Sequence, residues 1–157
     1  MAKAKRDMHK RLAALFFTLG LMSACTFSAR PIYIEDEKKT AERTIALMHE
    51  RMNAEQYEAL YDDTHEVFKS AMSKAAAVAS MRQTHERTGK ILQVTQHWLN
   101  YVKGDPLPVR AIYNLKCEHG EFGEMMAFSI SKDGQKALLA HYEIFPGSAP
   151  TPKTDQQ

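Results

Sequence analysis

The sequence predicts an α+β domain in which three N-terminal helices pack on one face of a four-stranded antiparallel meander sheet. Two observations support this fold class: apolar residues recur every three or four positions in the first half of the domain and alternate in the second half. The predicted strands are joined by short turns, as antiparallel neighbours require. The sheet then has one apolar face, which the three helices must cover.

The first two helices follow from apolar stripes and one capping signal. The first helix is predicted over residues 36–52, with Ala41, Ile45, Met48 and Met52 on one face. Asn53 can cap the second helix, with Gln56 as its capping-box partner. The buried stripe of this second helix consists of Tyr57, Leu60, Tyr61, His65 and Phe68.

Both ends of the third helix are marked in the sequence. Ser73 can accept a hydrogen bond from the free backbone N–H groups of the first turn. Gly89 is a good C-cap residue, because glycine readily adopts the left-handed conformation that commonly ends a helix. A helix is therefore expected between these two residues.

Four strands follow, separated by turns at 104–108, 120–123 and Asp133-Gly134, the last of which is a strong hairpin signal. Alternation places Leu92, Val94, Trp98 and Val102 of the first strand on the inward face. The inward residues of the other three strands are Val109, Ala111, Tyr113, Leu115 and Cys117, then Met126, Phe128 and Ile130, then Leu138, Ala140, Tyr142 and Ile144. Glu118, Glu124 and Glu143 are assigned to the opposite face.

Residues 1–24 are predicted to be a signal peptide. A basic head ending at Arg11 precedes an uncharged apolar run, Leu12–Met22, and then the small residues Ser23 and Ala24. The run has 11 residues, whereas a transmembrane helix needs about 20. We therefore expect this segment to direct export and to be removed.

The tetrapeptide Met22-Ser23-Ala24-Cys25 resembles the lipobox of bacterial lipoproteins. The resemblance implies cleavage just before Cys25 and attachment of lipid to that cysteine, which would hold the protein on a membrane. Thr26 follows, not the Asp that retains lipoproteins in the inner membrane, so the resemblance favours the outer membrane, facing the periplasm. An ordinary cleaved leader with an incidental cysteine remains an alternative.

The mature chain is expected to have three parts. Residues 25–34 form a tether, 35–145 the α+β domain, and 146–157, with three prolines, a disordered tail. The formal charge of +2 comes from the leader: five basic residues and one acidic residue in 1–24 leave 16 basic and 18 acidic residues in the rest. A nucleic-acid partner is not expected, because it requires a basic surface.

Dispersed positions in the domain carry a second resemblance. Residues 57–63, Phe68-Lys69, Ser73-Lys74, Gly89 and the hairpin at 133–144 are similar to a group of small bacterial lipoproteins whose domain function is unknown. That domain belongs to the cone-shaped class shared by nuclear transport factor two, ketosteroid isomerase and cystatin-like folds. The resemblance implies a cone with an interior pocket and implies nothing about activity.

No catalytic, metal or cofactor site is predicted. The histidines lack metal-ligand spacing, and the sequence contains neither a phosphate-binding glycine loop nor a Gly-x-Ser-x-Gly elbow. Proton transfer inside the cone would need an inward acid or base, and the predicted inward set contains no Asp or Glu. An enzyme or small-ligand binder that uses the cone pocket remains the alternative, with Asp62 or Asp63 at its mouth.

The sheet face opposite the helices is the predicted binding surface, because apolar and aromatic residues cluster on it. The candidate residues are His97, Leu99, Tyr101, Leu139 and His141. We expect a non-catalytic binding or accessory role there, with an envelope protein or a second copy of the chain as partner. Cover by the tether or the tail is the competing interpretation.

Overall fold

The computed structural model describes residues 34–149. The helices come first: α1 Ile34–Asn53, α2 Tyr57–Asp62, α3 Glu66–Ala71 and α4 Lys74–Thr88. The strands follow: β1 Ile91–Tyr101, β2 Val109–Cys117, β3 Gly120–Ile130 and β4 Ala137–Pro146. The fold is mixed α+β, with helices preceding an antiparallel sheet. The predicted signal peptide, Cys25 and nearly all of the predicted tether lie outside the described residues.

The helix count differs from the prediction, because the second predicted helix is divided into α2 and α3. Between them Thr64 is buried, and its hydroxyl donates to the Tyr61 carbonyl at 2.7 Å. His65 then caps α3 by accepting from Val67 N–H at 3.2 Å, while its own N–H donates to the Leu139 carbonyl at 2.8 Å. These contacts turn the chain and attach it to β4.

Capping was predicted correctly at one helix and wrongly at another. The Ser73 hydroxyl accepts from Ala76 N–H at 3.4 Å, and α4 ends at Gly89 with φ +68°. Asn53 does not cap α2. Its side-chain amide instead forms two hydrogen bonds with the backbone of Ile91, at 2.8 and 2.9 Å, and joins the end of α1 to the start of β1.

The sheet is a meander in the order β1-β2-β3-β4, with every pair antiparallel. Helix α1 lies across its inner face and contacts β1, β2 and β4. Ala41 and Ile45 of α1 join the main hydrophobic core there. The strand residues of this core are Val109, Ala111, Tyr113, Leu115, Cys117, Phe122, Met126, Phe128, Ala137 and Leu139.

Strand irregularities shift the predicted alternation in β1. The pairing register with β2 changes between Ile91 and Gln93 and again between Gln96 and Trp98. Trp98 therefore pairs with Ile112 on the outer face, and the prediction that it faces the helices is wrong. Leu92, also predicted inward, is 61% exposed.

The assignment of Glu124 to the outer face is also wrong. This residue lies two positions before Met126 in β3, and the pairing of β3 with β2 is regular through both. Side chains of a strand alternate between faces, so both point inward. Glu124 is 1% exposed.

The outer face carries the last described residues of the chain. The ring of Phe145 lies over Gly123, where a Cβ atom would overlap it. Gly147 N–H donates to the Glu121 carbonyl at 2.9 Å, and Ala149 N–H donates to Asn114 Oδ1 at 2.7 Å. Residues 147–149 thus pack on the outer face, and the remainder of the predicted tail lies outside the described residues.

Candidate functional site

The five residues of the predicted binding face do not share one surface. Leu99 pairs with Ala111 and, with Tyr101, packs against the inner core. Leu139 is 4% exposed in that core, because the β3–β4 register shifts beside Phe128 and reverses the predicted alternation in this part of β4. His141 is exposed on the outer face, and His97 lies at the second irregularity of β1. The face assignment of Leu99, Tyr101 and Leu139 is therefore wrong.

A buried polar pair lies on the inner face instead. His49 Nε2 of α1 and Glu124 Oε2 of β3 are 2.8 Å apart, with side chains 10% and 1% exposed. His49 follows Ile45 by four residues and precedes Met52 by three, so it falls on the apolar stripe of α1. The inward position of both residues could have been predicted from the helix and strand periods, since each shares a face with predicted core residues.

Three other ionisable side chains surround Glu124. Burial, with Glu42 and Glu124 adding negative charge, raises the pKa of Tyr113 to about 12, and the Tyr113 ring meets His49 edge-on at 6.2 Å. Burial, the Glu124 charge and a hydrogen bond to Glu124 raise the pKa of Tyr142 well above its ordinary value. Burial and Glu124 also raise the pKa of Cys117. Both phenols and the thiol are therefore protonated at physiological pH, so each can donate a hydrogen bond.

A small cavity adjoins the pair. Its volume is about 50 Å³, and apolar residues of α1, α2, α4 and β4 form most of its wall. These apolar residues are Leu47, Met48, Met52, Leu60, Met81 and Leu139. The cavity could hold only a few water molecules, because one water molecule needs about 10–15 Å³ of cavity volume.

A larger groove lies between the helices and β4. It encloses about 440 Å³ and is lined by residues of α3, α4 and β4 together with Met72. Tyr142 and Met81 line both the groove and the small cavity, and therefore stand between the two spaces. Through the Tyr142 phenol, the groove is one side chain away from Glu124.

The helix-borne carboxylates considered for the mouth of the cone are engaged in surface ion pairs. Lys74 Nζ lies 2.7 Å from Asp62 Oδ1, and Arg51 pairs with Asp63. Asp63 also borders the small cavity. Neither aspartate lines the larger groove, so the structure does not bring them to it.

The described stretch, residues 34–149, contains no group of three or more His, Cys, Asp and Glu side chains placed to hold a metal ion. None of its helices is both long enough and apolar enough to cross a bilayer. Comparison of the chain with protein-family models and with curated protein sequences finds no match.

Proposed function

We propose that this protein is a lipid-anchored envelope protein whose domain binds a small, largely apolar molecule in the groove between α4 and β4. The groove itself carries the proposal. Its volume of about 440 Å³ lies within the roughly 300–1,000 Å³ typical of small-molecule sites. Protein interiors otherwise contain few voids larger than a water molecule.

The arrangement of the helices explains why such a space exists. Helix α1 lies directly on the sheet, whereas α4 packs on α1 and α2. Helix α3, only six residues long, contacts β4. The space between α4 and β4 is lined by residues of both elements and of the α3 segment, and Gln83 and Arg87 of its lining are exposed to solvent, which suits reversible binding.

The location rests on the leader sequence. The basic head, the short apolar run and Met22-Ser23-Ala24-Cys25 support lipid attachment at Cys25, and Thr26 supports the outer membrane. A doubly or triply acylated protein stays on its membrane, where a single chain would hold it only marginally. The domain would then present its groove to the periplasm. Its role there would be binding or an accessory function, without catalysis.

Catalysis in the cone is the second candidate, and one observation favours it. Glu124 and His49 form a buried acid–base pair, which is the kind of arrangement that proton transfer uses. A substrate in the groove would still have to displace Tyr142 or Met81 to reach them. Binding without conversion needs no such movement, and we therefore prefer it.

Photocrosslinking in intact cells tests the binding function. A photoreactive amino acid replaces Gln83, an exposed residue that lines the groove, and the matched control carries it at Glu86, exposed on the same helix but outside the groove lining. Mass spectrometry of the intact protein after irradiation should show a discrete small-molecule addition at position 83 only. Absence of an adduct at position 83, or equal adducts at both positions, would argue against a groove ligand.

A further inference from the structure

We propose that the groove selects an amphipathic organic acid, whose apolar body lies along β4 and α3 while its carboxylate pairs with Arg87. This inference rests on the proposed binding function and names the ligand class. It follows from three features of the groove: one polar wall, one apolar wall and a single charge.

The polar wall belongs to α4. Ser80, Gln83, Thr84 and Arg87 follow one another at spacings of three, one and three residues, which places them on one face of the helix. All four line the groove, and all are exposed or half-buried. This wall therefore offers hydroxyl, amide and guanidinium groups to a ligand at the solvent side.

The opposite wall is apolar. Phe68 and Met72 approach from the α3 segment, and Tyr142 and Ile144 approach from β4. Phe68, Tyr142 and Ile144 are half-buried and Met72 is 37% exposed, so apolar surface remains accessible. Removing such surface from water against an apolar ligand body favours binding.

Among the described residues that line the groove, Arg87 is the only charged one. Within residues 34–149 its guanidinium takes part in none of the ion pairs. It lies near enough to the phenol of Tyr142 to oppose the rise in that pKa. A guanidinium matches a carboxylate through two parallel hydrogen bonds, and no acidic residue of the lining competes for it.

The test uses two probes with the same apolar body, 1-naphthylacetate and neutral 1-naphthylacetamide. Calorimetric titrations are run on the full chain in lipid nanodiscs, with the heats from empty nanodiscs subtracted. Wild type should bind the acid at least tenfold more tightly than the amide, and Arg87→Gln should remove that preference while retaining amide binding. Arg82→Gln is the matched control, because Arg82 lies over the Tyr57 ring at 5.9 Å and does not line the groove.

The outcomes separate this inference from the function on which it rests. Equal affinity of wild type for both probes, or a preference for the acid that survives in Arg87→Gln, overturns acid selection and leaves groove binding standing. Loss of the preference in Arg82→Gln as well would assign it to general surface charge and also overturn the inference. Failure of wild type to bind either probe contradicts the groove function itself.

Discussion

The imidazole of His49 on α1 and the carboxylate of Glu124 on β3 are joined inside the domain by a 2.8 Å hydrogen bond between Nε2 and Oε2. The bond spans 75 positions in sequence and links the first helix to the third strand. A buried polar group is costly unless it is paired. Each residue of this pair therefore depends on the other, and the bond ties α1 to β3.

Replacing Glu124 should destabilise the domain strongly. Glu124→Ala leaves the His49 ring buried without its partner and opens a cavity, so the free energy of unfolding should fall by roughly 3 kcal/mol. Urea denaturation of Glu124→Ala, His49→Ala and the double variant measures the coupling, which should be at least about 1 kcal/mol. Strictly additive losses would show that the two side chains do not support each other.

Tyr142 should make stability sensitive to alkaline pH. Its pKa is raised in the folded state, so its contribution is complete below the unfolded value near 10 and is lost as pH rises from there toward the folded pKa. Above pH 10, wild type should lose up to about 1.4 kcal/mol per pH unit more than Tyr142→Phe. Urea unfolding at pH 8, 10 and 11 measures this difference, and parallel losses in both proteins would contradict the burial of the phenol.

Gly123 should not tolerate a side chain. A Cβ atom there would overlap the Phe145 ring and lie 2.9 Å from Ala149 Cα, so Gly123→Ala should cost roughly 1–3 kcal/mol. The measurement is again chemical denaturation, with Phe145→Ala and the double variant for comparison. The double variant should lose less than the sum of the two single losses, because removing the ring relieves most of the overlap. Simple additivity would mean that the ring does not lie over Gly123.

The sequence predicts the order of elements better than it predicts the strand faces. Ser73 and Gly89 mark the ends of α4 because capping is a local interaction. The two irregularities in β1 each reverse the alternation, and no turn residue announces them, so Trp98 and Leu99 exchange the faces that a regular strand would give them. The inward position of Glu124 was predictable, since alternation from Met126 requires it.

The groove could not have been predicted from the sequence. It lies between β4 and α4, which packs on α1 and α2, so it depends on how several helices pack together. The polar wall of the groove, which ends at Arg87, resembles in the sequence an ordinary solvent-exposed helix face. Its relation to Tyr142 and Ile144, 55 or more residues later, becomes visible only in the folded domain.

Lipid attachment at Cys25 has a direct test. Cells that produce wild type or Cys25→Ala are grown with an alkyne analogue of palmitate, and the purified proteins are compared for label. Wild type should be labelled and Cys25→Ala should not, because the lipobox resemblance assigns the acyl chains to that cysteine. Equal labelling of both proteins, or no label in wild type, would remove the anchor from the proposal.

Mapping a bound probe by NMR tests the groove most directly. The full chain in lipid nanodiscs carries ¹³C-labelled isoleucine δ1 methyl groups, and 1-naphthylacetamide is added in excess. Ile144 lines the groove and Ile112 lies on the opposite face of the sheet, so the two methyl groups report on the two surfaces. The Ile144 signal should shift until the site is saturated, while the Ile112 signal stays in place. A shift at Ile112 without one at Ile144, or no shift in either, would contradict binding in the groove.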